Sequence, residues 1–233
     1  MKVYYASGTL GDAYVILCKV YRMAQREPVL LKHYTAYESA KPGILEIYSL
    51  VPGIGVEFQD KKQPLGITGQ FIHHRLVGKR MNYLPDDDGY GLELESHPRF
   101  DFGNDNRFDL PNSYATMQLE AGANPKKLRR ITADEIKRII SRSDLPIVVL
   151  GKDNVDCPRG DGIVDLRGET KIKEVMKIVR DSSHFYGCLG FLSLVALSQR
   201  VYSTLYKPRY YRDKHAFESR IRPVAEWMRY VAQ

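Results

Sequence analysis

KVYYASGTLGDAYVILCKVYRMA, residues 2–24, begins with apolar side chains in a short run, turns at glycine and then changes period. Residues 2–6 read as a strand. Ser7-Gly8-Thr9-Leu10-Gly11-Asp12 is turn chemistry. After it, Ala13, Ile16, Leu17, Val20 and Ala24 recur at helical spacing, so an amphipathic helix starts at the turn. Residues 29–33, after Pro28, supply a second, buried-type strand. A weaker helix over 43–50 and a third strand over 55–58 follow. Strand, helix, strand, helix, strand is the pattern of a parallel sheet with covering helices.

The second half repeats this logic. Residues 114–119 form a strand, and a loop over 120–127 follows. Thr132-Ala133-Asp134-Glu135 has the spacing of a capping box, which predicts a helix to about residue 141. PIVVLG, residues 146–151, is a continuous apolar run of the kind buried on both sheet faces. Strands are expected at 163–166, 184–186 and 201–205. Thr170 is placed to cap a helix carrying Ile172, Val175, Met176 and Val179 on one stripe, and Gly187-Cys188-Leu189-Gly190 turns into a helix over 191–197. A short helix is expected near 71–81, a long loop or hairpin over 84–111, and a linker near 112. The tail, 214–232, is helical by period, with a bend at Pro223. The reading is an α/β protein with two Rossmann-like domains facing a cleft. Ligands of such sheets bind at the carboxyl ends of the strands.

Composition narrows the class. The 233 residues are 43% hydrophobic and 27% charged, a globular balance that argues against wholesale disorder. No apolar run reaches the roughly 18 residues of a transmembrane helix, and the opening residues lack a signal-peptide core. The net charge of +7 favours anionic ligands such as phosphates, nucleic acid or acidic lipid. Cys18, Cys157 and Cys188 lack metal-ligand spacing and read as reduced thiols of a cytoplasmic protein, Cys188 as a buried small side chain rather than a nucleophile. Asp86-Asp87-Asp88 and His73-His74 lack the spacing of metal sites.

Four motifs carry possible chemistry. In Gly8–Asp12, glycines between strand and helix let backbone amides approach an anion, and Asp12 stands at the helix start. It suits either a capping role or a general base. Asp165-Leu166-Arg167-Gly168-Glu169-Thr170 is a capped connection whose Thr hydroxyl also suits phosphate. At Gly187–Ser193, the amides of Gly190, Phe191 and Leu192 make a candidate anion site, or simply a close strand–helix packing. Lys126, Lys127, Arg129 and Arg130 form a basic loop, which by itself reads as a solvated charge run.

Together these motifs resemble the ADP-heptose:lipopolysaccharide heptosyltransferase family, a group of GT-B glycosyltransferases. Ser7–Asp12 is similar to the family's Ser-x-x-Gly-Asp loop, whose Asp is the catalytic base. Residues 165–170 resemble its Leu-x-Gly-x-Thr segment. Residues 185–190 hold the place of its Gly-x-Asp-Ser-Gly-x-x-His turn, with Cys188 and Leu189 in place of Asp-Ser and Ser193 in place of His.

The resemblance implies three segments: 1–112, an acceptor-side domain; 113–206, a nucleotide-sugar-binding domain; and 207–233, a linker and a C-terminal helix that packs back. It implies an inverting, metal-independent transfer of a sugar from a nucleotide-sugar co-substrate, with no cofactor. Asp12 would be the base. Gly11, Lys127, Arg129, Gly151, Thr170, Gly187, Gly190, Phe191 and Ser193 would hold the donor. The acceptor would be a saccharide, a lipid-linked saccharide or a modified nucleic acid, the last on account of the basic tail with Tyr202, Tyr206, Tyr210, Tyr211 and Trp227. A nucleic-acid-binding protein without catalysis, and a degenerate nucleotide-sugar-binding protein, remain as alternatives.

Overall fold

The computed structural model describes residues 1–61, 70–71, 76–77, 80–81, 100–102, 107–122, 129–152, 156–207 and 228–232. The chain forms two compact units, with the division between Asp101 and Phe102, ahead of the expected linker at 112.

The first unit runs β1 (Lys2–Ser7), α1 (Leu10–Ala24), β2 (Val29–Tyr34), α2 (Lys41–Tyr48), β3 (Ile54–Phe58) and β4 (Gln70–Phe71). Its sheet is ordered β3-β2-β1-β4, and every pair is parallel. The order reverses between β1 and β4, so the glycine turn leaves the carboxyl end of β1 at the switch point. In β2, buried and half-buried side chains alternate along the strand. The helical stripe predicted for α1 is present. Ala13, Ile16, Leu17 and Val20 are buried, together with Tyr14 and Val15, and fully burying a Leu, Ile or Val contributes about 1.5–3 kcal/mol. Phe100 returns to close this core edge-on against Tyr14 and Tyr21, at 5.9 and 5.8 Å between ring centroids.

The helix expected near 71–81 is not formed. Gln70 and Phe71 extend the sheet beside Tyr4 and Tyr5. β5 (Leu76–Val77) and β6 (Arg80–Met81) then pair antiparallel. Gly78 is the reason available in the sequence: it weakens a helix interior, and at the first position of a two-residue connection it favours a hairpin.

The second unit holds β7 (Ala115–Gln118), β8 (Glu120–Ala121), β9 (Arg129–Arg130), α3 (Ala133–Arg142), β10 (Ile147–Leu150), β11 (Ile163–Asp165), α4 (Ile172–Arg180), β12 (His184–Gly187), α5 (Phe191–Ser198), β13 (Ser203–Lys207) and β14 (Met228–Ala232). Its six-stranded sheet is ordered β11-β10-β7-β12-β13-β14, parallel throughout. Numbered within the unit, that is 3-2-1-4-5-6, the Rossmann order. β7 and β10 are buried at every residue, as the apolar run 146–151 predicted. Met117, Leu119, Ile147 and Val149 pack with Ile139 of α3 in one core.

Three expectations are corrected here. The loop expected over 120–127 begins instead with a strand, because Glu120 and Ala121 pair antiparallel with Arg130 and Arg129. Residues 228–232 of the predicted C-terminal helix are a strand parallel to β13, and they belong to the second unit's sheet. Met228-Arg229-Tyr230-Val231 has strand formers at its end, and the exposed edge of β13 gives them a ladder, which a helical stripe alone does not anticipate. Residues 208–227 lie outside the described residues. Finally, Tyr206 is 4% exposed and packs in the core, so it cannot stack on a base, whereas Tyr202 is exposed. Tyr210, Tyr211 and Trp227 lie outside the described residues, as do Asp86–Asp88 and His73-His74.

One consequence is a pH dependence. Burial lowers the pKa of His184, whose Nε2 lies 2.9 Å from Thr204 Oγ1. The folded state therefore prefers the neutral ring. Its contribution is present above the unfolded value of about 6.5 and is lost as pH falls through the lower folded value. The melting temperature is expected to drop from pH 7 towards pH 5, and less so for His184→Gln. Thermal melts of the two proteins at matched pH check this, and parallel curves would remove His184 as the cause.

Candidate functional site

The glycine turn of the first unit is built around Asp12. Gly8 has φ +133°, a region that favours glycine, and a Cβ added there would lie 2.1 Å from Asp12 Oδ2. Thr9 is the N-cap of α1, and its N–H donates to Asp12 Oδ2 at 2.6 Å; the Thr9 hydroxyl lies 3.4 Å from the same oxygen. Asp12 thus performs the capping role that its position allowed, from the third residue of the helix. Gly11 lies in the same first turn, half-buried.

A buried pair supports the turn from below. His33 Nε2 is 3.3 Å from the Gly8 carbonyl, and His33 Nδ1 is 2.9 Å from the Tyr48 hydroxyl. A carbonyl only accepts, so Nε2 carries the proton, and in the neutral ring Nδ1 accepts from Tyr48. Burial, and then the charge of Asp12, push the Tyr48 phenol well above its ordinary pKa, which keeps it a donor. Neither His33 nor Tyr48 was singled out from sequence. The only signal was a polar residue in a buried-type strand.

In the second unit the strand order reverses between β7 and β12, and of the candidate donor residues Gly151, Gly187 and Gly190 follow or end strands at the carboxyl end of this sheet, whereas Gly11 belongs to the first unit. Gly187 closes β12, and a Cβ there would lie 2.6 Å from the Phe185 ring. Gly190 is the N-cap of α5, and a Cβ there would come within 2.8 Å of Ala121 Cβ. The helix start therefore lies directly on β8. Arg129 Nε reaches back to the Ala121 carbonyl at 3.4 Å, and its charge is felt at Cys188. Arg129 and the glycine turn, separate in sequence, are thus brought together through Ala121.

The Gly187–Ser193 turn differs in detail from expectation. The Gly190 N–H donates to Ser193 Oγ at 2.8 Å, and the Ser193 hydroxyl donates to the Gly190 carbonyl at 2.9 Å. The Gly190 amide is therefore engaged. The remaining first-turn amides have no carbonyl one turn back within the helix. Phe191 is half-buried. Cys188 is 0% exposed and Leu189 4%, so the two side chains in the place of Asp-Ser belong to the core. Burial pushes the Cys188 thiol up to about 12, which makes it inert as a nucleophile at neutral pH.

Gly151, with φ +124°, ends β10, and its carbonyl accepts from Gly168 N–H at 2.9 Å. This ties the 165–170 segment to the same edge of the sheet. Thr170 is not the cap of α4. Lys171 holds that position, and Glu174 accepts the Lys171 N–H at 2.7 Å while pairing with Arg107 at 2.7 Å. A carboxylate three residues into the helix outcompetes a hydroxyl one residue before it. Lys127 lies outside the described residues. Among the described residues, no three His, Cys, Asp or Glu side chains gather as metal ligands, and no helix is long and apolar enough to cross a membrane.

No protein-family model matches the chain, and no curated protein does. Solved structures do. The iron-containing dodecameric glycosyltransferase TibC from enterotoxigenic E. coli H10407 superposes with a TM-score of 0.52 at 16% identity, over 88% of this chain and 58% of TibC. Dodecameric heptosyltransferase TibC in complex with ADP-D-beta-D-heptose gives 0.53 at 16%, over 88% and 57%. E. coli heptosyltransferase WaaC with ADP gives 0.56 at 8% identity, over 100% of this chain and 93% of WaaC. The chain has a heptosyltransferase-like fold. It spans less than two thirds of the length of TibC. Within this heptosyltransferase-like fold, the Asp12 turn and the Gly187–Ser193 turn stand at the switch points of the two parallel sheets.

Proposed function

We propose that the chain is a glycosyltransferase that moves a sugar from a nucleotide-sugar to an acceptor hydroxyl. The observation that carries this reading is the second sheet: Rossmann order, with the glycine turn, the start of α5 and the Arg129 guanidinium together at its switch point. Backbone amides, a helix start and a cation suit a diphosphate without a metal ion. That WaaC was solved with ADP and TibC with ADP-D-beta-D-heptose supports the same ligand class.

In the transfer, the acceptor oxygen forms a bond to the anomeric carbon as the bond to the diphosphate oxygen breaks. The electron pair leaves with the nucleoside diphosphate, and the acceptor proton passes to Asp12. A single displacement of this kind inverts the anomeric centre. The amides at the start of α5 and Arg129 stabilise the charge that develops on the leaving group. Gly187 and Gly190 act by absence, since a side chain at either would collide with Phe185 or Ala121. Lys127, Thr170 and Gly151 are assigned to the same donor surface, and Gly11 to the Asp12 turn. The +7 charge fits an anionic donor and is compatible with a saccharide, lipid-linked saccharide or nucleic-acid acceptor.

A second reading, a nucleotide-sugar-binding protein without turnover, is favoured by the burial of Cys188 and Leu189 and by the engagement of the Gly190 amide. Thermal shift with ADP, GDP, UDP and CDP tests the element shared by both. A nucleotide at about 100 times its Kd adds about 2.7 kcal/mol of stability. A panel without any shift would overturn both readings, and binding without transfer to any acceptor would favour the second.

A further inference from the structure

Gln118 is the last residue of β7, the strand from which the second sheet's order runs in both directions. It is 9% exposed, and its Oε1 is the one buried side-chain oxygen or nitrogen among the described residues that lacks a hydrogen-bond partner. Buried polar atoms are nearly always paired, so an orphan at this depth requires a reason. The other polar residue on the same face of β7 has partners: Thr116 Oγ1 lies 3.1 Å from Ser182 Oγ.

The neighbours of Gln118 give it room. Leu150 is its partner in β10, and the pairing of Tyr186 with Met117 puts Gly187 opposite it in β12. A Cβ at Gly187 would lie 3.5 Å from Gln118 Cβ, and one at Gly151 would lie 3.9 Å from its Cγ. Glycines therefore flank the stem of the side chain on both sides, at the carboxyl end of the sheet and at the point where ligands of such sheets bind. The chemistry narrows the partner. An amide oxygen accepts, and a diphosphate has no hydrogen to offer it, so the unpaired Oε1 does not answer to a phosphate. Its complement is a hydrogen-bond donor, and the donors a nucleotide-sugar carries in greatest number are its hydroxyls. The terminal torsion of Gln is broad, so the amide turns to meet one at little cost.

We propose that Gln118 is a specificity residue for the donor, hydrogen-bonding a hydroxyl of the nucleotide-sugar, on its ribose or its transferred sugar, at the switch point of the second sheet. This rests on the donor-binding reading above. The test is calorimetric titration of the full chain and of Gln118→Met, which keeps length and packing but removes the amide. The ligands are the nucleoside diphosphate that stabilises the wild type most among ADP, GDP, UDP and CDP, its 2′-deoxy and 3′-deoxy forms, and its glucose conjugate. Gln118→Met is expected to weaken binding of the ligand that carries the partner hydroxyl about tenfold, the loss of one net hydrogen bond. Its melting temperature without ligand is expected to equal or exceed that of the wild type, because an unpaired buried acceptor is gone.

If the ribose is the partner, the variant binds the nucleotide and its deoxy forms alike, where the wild type separates them. If the transferred sugar is the partner, the variant binds the free diphosphate normally and loses only the added affinity of the conjugate. Affinities for every ligand within twofold of the wild type would overturn the inference while leaving the donor reading standing. A wild type that binds no nucleotide would overturn both.

Discussion

Asp12→Asn lowers sugar transfer by about 100- to 10,000-fold, the usual contribution of a positioned general base, while nucleoside diphosphate affinity stays within twofold of the wild type. The substitution separates two roles held by one side chain. Asp12 Oδ2 accepts the Thr9 N–H at 2.6 Å, and an Asn oxygen in the same place still accepts it. The start of α1 therefore survives, and the melting temperature changes little. What Asn cannot do is take the proton of the acceptor. Asp12→Ala does not separate the roles, because it removes cap and base together. The check is initial-rate transfer alongside a melting curve and a nucleotide titration on the same preparation. Undiminished transfer by Asp12→Asn would leave Asp12 as a capping residue alone.

Gly8→Ala is expected to destabilise the first unit more than a substitution at any other described glycine there. The φ of +133° costs an L residue about 1–3 kcal/mol. The new Cβ would also lie 2.1 Å from Asp12 Oδ2 and 2.3 Å from Asp12 Cβ, an overpacking worth about 1–3 kcal/mol more. Asp12 cannot swing aside without giving up the Thr9 N–H. Gly55→Ala in β3 is the control, since its Cβ would meet Leu30 Cδ1 at an ordinary 3.4 Å without a positive φ. Denaturant midpoints should fall sharply for Gly8→Ala and hardly for Gly55→Ala. Equal midpoints for both would mean that the turn is looser than described. Transfer should fall with the same variant, because the residue displaced is the proposed base.

Where residues were legible in the sequence, a single period settled the element. The stripe Ala13, Ile16, Leu17, Val20 gave α1, and the run 146–151 gave a strand buried on both faces. Errors came where two physical effects compete over a short stretch. Residues 71–81 carry too few apolar positions to separate a helix from a hairpin, and only Gly78 hinted at the outcome. Residues 228–232 become a strand because an open edge of β13 is available, which is information about the sheet rather than about the segment.

The helix caps follow the same logic. The Thr170 hydroxyl suggests a cap, but at α1, α4 and α5 the device is the reverse half of the capping box. Asp12, Glu174 and Ser193, each the third residue of its helix, accept the N–H of the cap residue. The site was half legible. The glycine turns stood out because strand-to-helix glycines have few other uses. Gln118, His33 and Tyr48 did not, because their significance lies in partners distant in sequence. The meeting of Arg129 with the Gly187–Ser193 turn depends on the β8–β9 pairing, which two-residue strands do not announce.

On the proposed function, the start of α5, at the switch point of the second sheet, holds the diphosphate of a sugar nucleotide. A crystal structure of the chain with its best-binding nucleoside diphosphate tests it most directly. The diphosphate oxygens are expected at about 2.7–3.2 Å from amides of the first turn of α5, with the Arg129 guanidinium alongside. Nucleotide density seated elsewhere, with that helix start untouched at saturating concentration, would contradict it.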